Sequence, residues 1–339
     1  GTSAEKLGVN IEYCMVLPRH VLQSVEIPAV DQVRASDDYG PSSRFWQWRL
    51  GRSSIFASAL ALAPSKDGFY TTHVQPGGSQ GLFIEASPEL QSLVSTMTTG
   101  PVLVADGIGY SNKELIMRSC TEDGLVLRPS KAMTAMDFSL IEEAFGRTTV
   151  DFPRRSEVWG TYSHVGSDWW FHVLAADLQE PVELKLSDVL RMAPASEPVR
   201  HWGDAAMLAY SISPLDFRLQ NLRIFKFGPG GDPTMDVVSL PMKGRLNFDL
   251  FHYARVYPNG WAILGELSKW VPTSPDRVVS ISWDQTSVAV TVKGSQGEVV
   301  RITFANVSGA NTVVESRSCQ IGPSLRCTVH TCGAAPVKH

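Results

Sequence analysis

Short apolar runs of strand length occupy residues 10–16 (NIEYCMV), 25–33, 67–72 (DGFYTT) and 100–106 (GPVLVAD). Compact runs of this kind suit strands buried in a parallel sheet. Between them the spacing turns helical. Residues 18–23 read as a loop entering a helix. Residues 46–62 space Trp46, Leu50, Ile55, Ala59 and Leu62 as one helical face, and Ala63-Pro64 ends that helix, because proline disfavours its continuation. Ser87-Pro88-Glu89-Leu90 is a helix start, with Ser at the cap and Pro at the first helical position. That helix extends to about residue 98, and residues 111–118 (SNKELIMR) form another capped helix. Strands alternating with helices over residues 10–120 predict a parallel sheet covered by helices.

The pattern changes near residue 158. Short β-branched or aromatic segments follow at 159–165, 169–175, 182–186, 207–212, 222–227, 237–240, 248–256, 262–267, 278–283, 287–292, 298–304 and 312–314. Turn residues separate them, including Gly228-Pro229-Gly230-Gly231, Pro258-Asn259-Gly260 and Lys293-Gly294. Regular short strands with turn signals predict an antiparallel sandwich. The boundary falls in a linker-like stretch, giving an α/β region over residues 1–145 and an all-β region over residues 146–339.

Composition narrows the functions. With 43% hydrophobic and 19% charged residues the 339-residue chain is globular, and its net charge of −4 argues against nucleic acid, which needs a basic face. No apolar stretch reaches the roughly 18 residues that span a bilayer. The first ten residues lack the apolar core of a signal peptide and read as an interior cut. Three of the five cysteines (Cys319, Cys327, Cys332) cluster near the C-terminus, where one disulfide is expected; no pair has zinc-site spacing. Asn306-Val307-Ser308 is a candidate N-glycosylation acceptor and leans towards a secreted, lysosomal or vacuolar compartment, with the cytoplasm as the alternative.

The polar chemistry gathers where the early apolar runs end. Val33-Arg34-Ala35-Ser36-Asp37-Asp38-Tyr39 puts a fixed cation and two adjacent carboxylates at the end of one strand-like run. Cys14, Asp67 and Asp106 lie at or near the ends of the other three. In barrels of alternating strands and helices, reactive groups sit at the carboxyl ends of strands. Each residue also has a structural reading: an Arg–Asp turn, a small core thiol for Cys14, loop or capping bonds for Asp67 and Asp106.

Arg34-Ala35-Ser36-Asp37-Asp38-Tyr39, followed by Gly100-Pro101, Asp106-Gly107-Ile108-Gly109, a helix over 114–120 and Asp123-Gly124-Leu125-Val126-Leu127-Arg128, resembles glycoside hydrolase family 36. The likeness is to its plant-type branch of alkaline α-galactosidases and raffinose synthases. It covers roughly residues 13–137 and is looser over the all-β region. It implies a (β/α)8 barrel followed by a β-sandwich, a retaining mechanism without metal or cofactor, and an α-galactoside-type substrate. Two carboxylates then stand roughly 5–5.5 Å apart, one as nucleophile and one as acid/base. An Arg-x-x-x-Asp register makes Asp38 the acid/base; a Ser-Asp register makes it Asp37. The first is favoured, and the neighbouring acid then binds a sugar hydroxyl or pairs with Arg34. Cys14, Asp67 and Asp106 become substrate-facing candidates.

The departure from the family is large. Its nucleophile lies in a Lys-x-Asp segment on an earlier strand, and Lys66-Asp67 is not that motif. Half a barrel cannot close, and its strands would expose an edge. The expectation is therefore the C-terminal half of a barrel (1–145) plus a sandwich (146–339), working with an N-terminal part of the same protein. The alternatives are a galactosyltransferase of the raffinose synthase type, a non-catalytic sugar-binding or structural subunit, or a sandwich that binds sugar through exposed Trp169, Trp170 and Trp270.

Overall fold

The computed structural model describes residues 2–15, 17–39, 48–77, 82–145, 157–178, 181–194, 206–213, 218–226, 237–240, 247–309 and 311–331. Trp46 and Cys332 lie outside them. The first region contains α1 (Thr2–Leu7), β1 (Ile11–Tyr13), α2 (Pro18–Gln23), β2 (Val30–Arg34), α3 (Ser53–Ala59), β3 (Ala63–Ser65), β4 (Val74–Pro76), β5 (Leu82–Ile84), α4 (Pro88–Met97) and α5 (Lys113–Met117). β1, β2 and β3 form a parallel sheet in that order, with Tyr13 opposite Val33 and Val33 opposite Pro64. The fourth apolar run lies beside them without a continuous ladder. Gly100 N–H donates to the Pro64 carbonyl (3.0 Å), Phe69 N–H to that of Leu103 (3.0 Å) and Ala105 N–H to that of Phe69 (2.9 Å), leaving one parallel bridge between Phe69 and Val104. Gly100 permits the close approach: a Cβ there would lie 2.5 Å from the Pro64 carbonyl oxygen.

Three expectations change. The third strand is β3 at Ala63–Ser65 and not the run over 67–72, where Phe69 alone makes a bridge. Pro64 does not end the helix; α3 stops at Ala59 and Pro64 is the middle residue of β3. Its carbonyl faces the irregular fourth run, so its missing N–H breaks no ladder bond. β2 starts only at Val30, because residues 24–26 form a short 3₁₀ turn with Val25 left exposed. The helix at Pro88 forms as expected, although Ser87 makes no side-chain cap bond. Asn112 caps α5, its side chain accepting from Leu115 N–H at 3.1 Å.

Antiparallel sheets dominate the rest of the chain. Its elements are β6 (Thr134–Ala135), α6 (Asp137–Phe145), β7 (Glu157–Val165), β8 (Asp168–Ala176), β9 (Val182–Lys185), α7 (Leu186–Leu190), β10 (Ala206–Ile212), β11 (Leu219–Lys226), β12 (Val237–Leu240), β13 (Phe248–Arg255), β14 (Trp261–Gly265), β15 (Val278–Trp283), β16 (Val288–Lys293), β17 (Val299–Asn306), β18 (Val313–Gln320) and β19 (Arg326–His330). β6 lies before residue 145 but pairs with β7. A six-stranded sheet runs β11-β10-β13-β8-β7-β6. Two three-stranded sheets, β14-β17-β18 and β15-β16-β19, pack against it, and β9 pairs with β12.

β8 shows why the sheet is covered twice. Its odd residues Trp169, Phe171 and Val173 face Leu184, Leu186 and Val189 from β9 and α7. Its even residues face the other way. Trp170 meets Ile263, Val290 and Ile302 of the small sheets, while Leu174 meets Trp48, Leu90 and Trp270. Trp169, Trp170 and Trp270 are 2%, 2% and 1% exposed, so they form core and not a sugar-binding platform. Cys319 and Cys327 are disulfide-bonded, joining β18 to β19.

The cluster holding Trp48, Leu90 and Trp270 draws on both regions. Polar bonds reinforce it. Lys269 Nζ donates to the carbonyls of Met117 and Cys120, each at 2.6 Å. The Trp270 indole donates to Ser92 Oγ on α4 (2.9 Å), and the Arg118 guanidinium lies 3.5 Å from the Trp270 ring centre.

Candidate functional site

Parallel pairing carries Arg34 to the end of β2 opposite Ser65 at the end of β3, so the loops that follow run side by side. Arg34 Nη2 meets Asp38 Oδ1 at 2.6 Å, and Arg34 Nη1 meets Asp67 Oδ2 at 3.4 Å. Burial works against the Arg34 charge, but Asp38 and Asp67 outweigh it and hold the guanidinium above its ordinary range. Arg34 is a fixed cation with a carboxylate on each side of its fork.

Asp67 does more than pair with Arg34. Its carboxylate accepts from Tyr39 N–H (2.6 Å) and Gly68 N–H (2.9 Å), while its own N–H donates to Ser36 Oγ (2.9 Å). These bonds pin the 35–39 loop to the end of β3. Asp67 therefore positions the loop that carries the two candidate acids. Asp38 is exposed in spite of its Arg34 contact, and Asp37 is exposed without an ion pair to Arg34.

Behind the loop lies a buried cluster that sequence reasoning missed. Tyr39 donates its hydroxyl to Glu85, which also accepts from Ser87 N–H (2.8 Å) and Gln91 Nε2 (3.3 Å). Lys66 Nζ sits 4.7 Å from the Tyr39 ring centre and donates to the Asp67 carbonyl at 3.1 Å. Burial lowers Lys66 to about 8, against the pull of Glu85 and Asp67. Burial and then Glu85 raise the Tyr39 phenol. A buried lysine directly after a strand end was the available signal; Tyr39 and Glu85 are too far apart in the chain to suggest each other.

The other predicted residues divide. Cys14 follows β1 directly, beside the end of β2, and is an exposed free thiol. Asp106 stands apart from Arg34 in its own network: it accepts from Thr71 N–H (2.7 Å), from the Thr71 hydroxyl and from Gln75 Nε2 (2.8 Å). Asn306 ends β17 and accepts from Ser308 N–H (3.0 Å) and Ser308 Oγ (2.6 Å). Its turn packs on Gly260, where φ is +81° and a Cβ would lie 2.6 Å from Ser308 Cβ.

Beside the 34–37 segment opens a groove of about 600 Å³, walled by Met15, α2, Val33 and α3 and bordered by Arg34, Ser36 and Asp37. Asp38 and Asp67 lie outside its lining. Among the described residues, no group of three or more His, Cys, Asp or Glu could hold a metal ion, and no helix is long and apolar enough to cross a membrane. No protein-family model matches the chain, and no curated protein matches it.

Proposed function

We propose that this chain supplies the acid/base carboxylate of a retaining α-galactosidase-like glycoside hydrolase. The observation that carries the reading is the gathering of Arg34, Asp37, Asp38 and Asp67 at the carboxyl ends of adjacent parallel strands. On this reading residues 1–145 are the C-terminal half of a (β/α)8 barrel and residues 146–339 its sandwich. The sequence contains no Lys-x-Asp triplet, so the nucleophile belongs to an N-terminal part of the same protein. Exposed Leu103, Val104 and Ile108 along the outer run support further barrel pairing there.

Asp38 is the favoured acid/base and Asp37 the alternative. As acid, the residue gives its proton to the glycosidic oxygen as that bond breaks and the nucleophile's carboxylate bonds the anomeric carbon. As base, it takes a proton from the water that releases the sugar. Arg34 and Asp67 hold the loop in place. Transfer to a sugar acceptor, as in the raffinose synthase type, differs only in what replaces water. The disulfide suits an oxidising compartment, which favours secretion or a lysosomal or vacuolar site.

A non-catalytic sugar-binding or structural subunit is the second reading. It is favoured by the bonds that Asp67 and Asp106 already make to backbone N–H groups. Turnover of p-nitrophenyl α-galactoside by the full-length protein decides between the two. Asp38→Asn is expected to lower turnover by roughly 10²–10⁴, the usual range for a general acid/base. A large loss confined to Asp37→Asn would move the role to Asp37. Full turnover in both variants would remove the catalytic assignment.

A further inference from the structure

The Asp38 side chain is 69% exposed, and an ion pair as open as the one it makes with Arg34 is weakened by water and salt. A firmer hold comes from the residue after it. Tyr39 N–H donates to Asp67 Oδ2 (2.6 Å), which fixes the peptide joining Asp38 to Tyr39. The Tyr39 ring packs against Lys66 Nζ, 4.7 Å from its centre, and edge-on with Tyr70, 5.1 Å between ring centres. Its hydroxyl accepts from Tyr70 N–H (3.4 Å) and donates to Glu85. Glu85 is buried between β5 and α4, where Ser87 N–H and Gln91 Nε2 hold it. The Tyr39–Glu85 bond therefore ties the loop after β2 to the start of α4, whose Leu90 packs in the same core as Trp48 and Trp270.

A general acid works only within hydrogen-bond reach of the atom it protonates, and a misplacement of about 1 Å costs roughly 10²-fold. Resting on the glycosidase reading, we infer that Tyr39, through Glu85, is a positioning residue that holds the Asp38 carboxyl at the glycosidic oxygen. Tyr39 acts through Asp38 and not on the sugar. Loss of its hydroxyl keeps the ring, the Asp67 bond and both candidate acids, but frees the inner end of the loop. The effect then falls on the step that needs the acid's proton. A hydroxyl that merely stabilised the fold would affect every substrate alike.

Steady-state kinetics on the full-length protein with methyl and p-nitrophenyl α-galactoside test this. In a retaining mechanism kcat/KM ends at the step that breaks the glycosidic bond. There p-nitrophenolate leaves with little help from an acid, whereas the methyl leaving group needs its proton. Tyr39→Phe is expected to lower kcat/KM roughly tenfold on the methyl glycoside and less than about twofold on the p-nitrophenyl glycoside. Glu85→Gln, which alters the acceptor at the other end of the bond, is expected to show the same split. A p-nitrophenyl loss as large as the methyl loss, or no methyl loss, in either variant overturns the positioning role while leaving the glycosidase reading intact. If the unmodified protein hydrolyses neither substrate, the glycosidase reading falls and the positioning role falls with it.

Discussion

At the scale of single residues, the candidate site turns on how one guanidinium serves two carboxylates. Arg34 uses separate nitrogens for Asp38 and Asp67. Lysine offers a point charge and no fork, so it cannot hold both in the same geometry. Arg34→Lys is therefore expected to lower kcat on an α-galactoside by about tenfold, and Arg34→Met by about 10²-fold, since small misplacements of reacting groups carry penalties of that size. Steady-state kinetics check this, and unchanged kcat in both variants would remove Arg34 from the site. Lys66 gives a second test at this scale. Its folded pKa of about 8 lies below the free value of 10.5 because of burial. Between those pH values the unfolded chain binds more protons than the folded one, so stability rises with pH across that window. Below pH 8 the buried charge is carried by both states and its cost is constant. The thermal midpoint of the unmodified protein, measured against that of Lys66→Met, should climb from pH 8 to 10.5; a flat difference would show that Lys66 is not held down by burial.

At the scale of elements, what the sequence reveals depends on whether a segment carries a burial signal. β7 and β8 are legible because nearly every position is buried and aromatic or β-branched residues fill both faces. α4 is legible from Ser87-Pro88 and a long apolar run. β19 was missed for the opposite reason: in Arg326–His330 only Val329 is buried, so the strand has no apolar pattern. β18 was read as three residues where eight pair with β17, because none of them is fully buried and the ladder depends on its partner. β6, two residues long, exists only as an edge added to β7. The site divides in the same way. Arg34 and Asp38 are four apart and could be paired by inspection. The Tyr39–Glu85–Lys66 cluster draws on three separate segments, and nothing local links them before the strands are laid side by side.

At the scale of the whole molecule, the α/β and all-β regions are locked by a shared core. Trp270 is 1% exposed and touches both: it stacks under Arg118, donates to Ser92 of α4, and packs with Trp48, Leu90 and Leu174. Lys269 and Ser274 on the same segment reach the carbonyls of Met117, Cys120 and Arg128. A boundary built this way shares one core cluster between the regions, so the described parts should unfold together. Trp270→Ala removes the ring that both sides pack on and the indole N–H that donates to Ser92 Oγ. The expected loss is about 3–5 kcal/mol, the usual range for truncating a buried aromatic. It falls on the boundary more than on either interior, because the antiparallel sheets keep their remaining clusters intact. Differential scanning calorimetry should therefore show one transition for the unmodified protein and, for Trp270→Ala, an earlier transition of the α/β region separated from the sandwich. Two transitions before any substitution would mean that the shared core does not couple the regions.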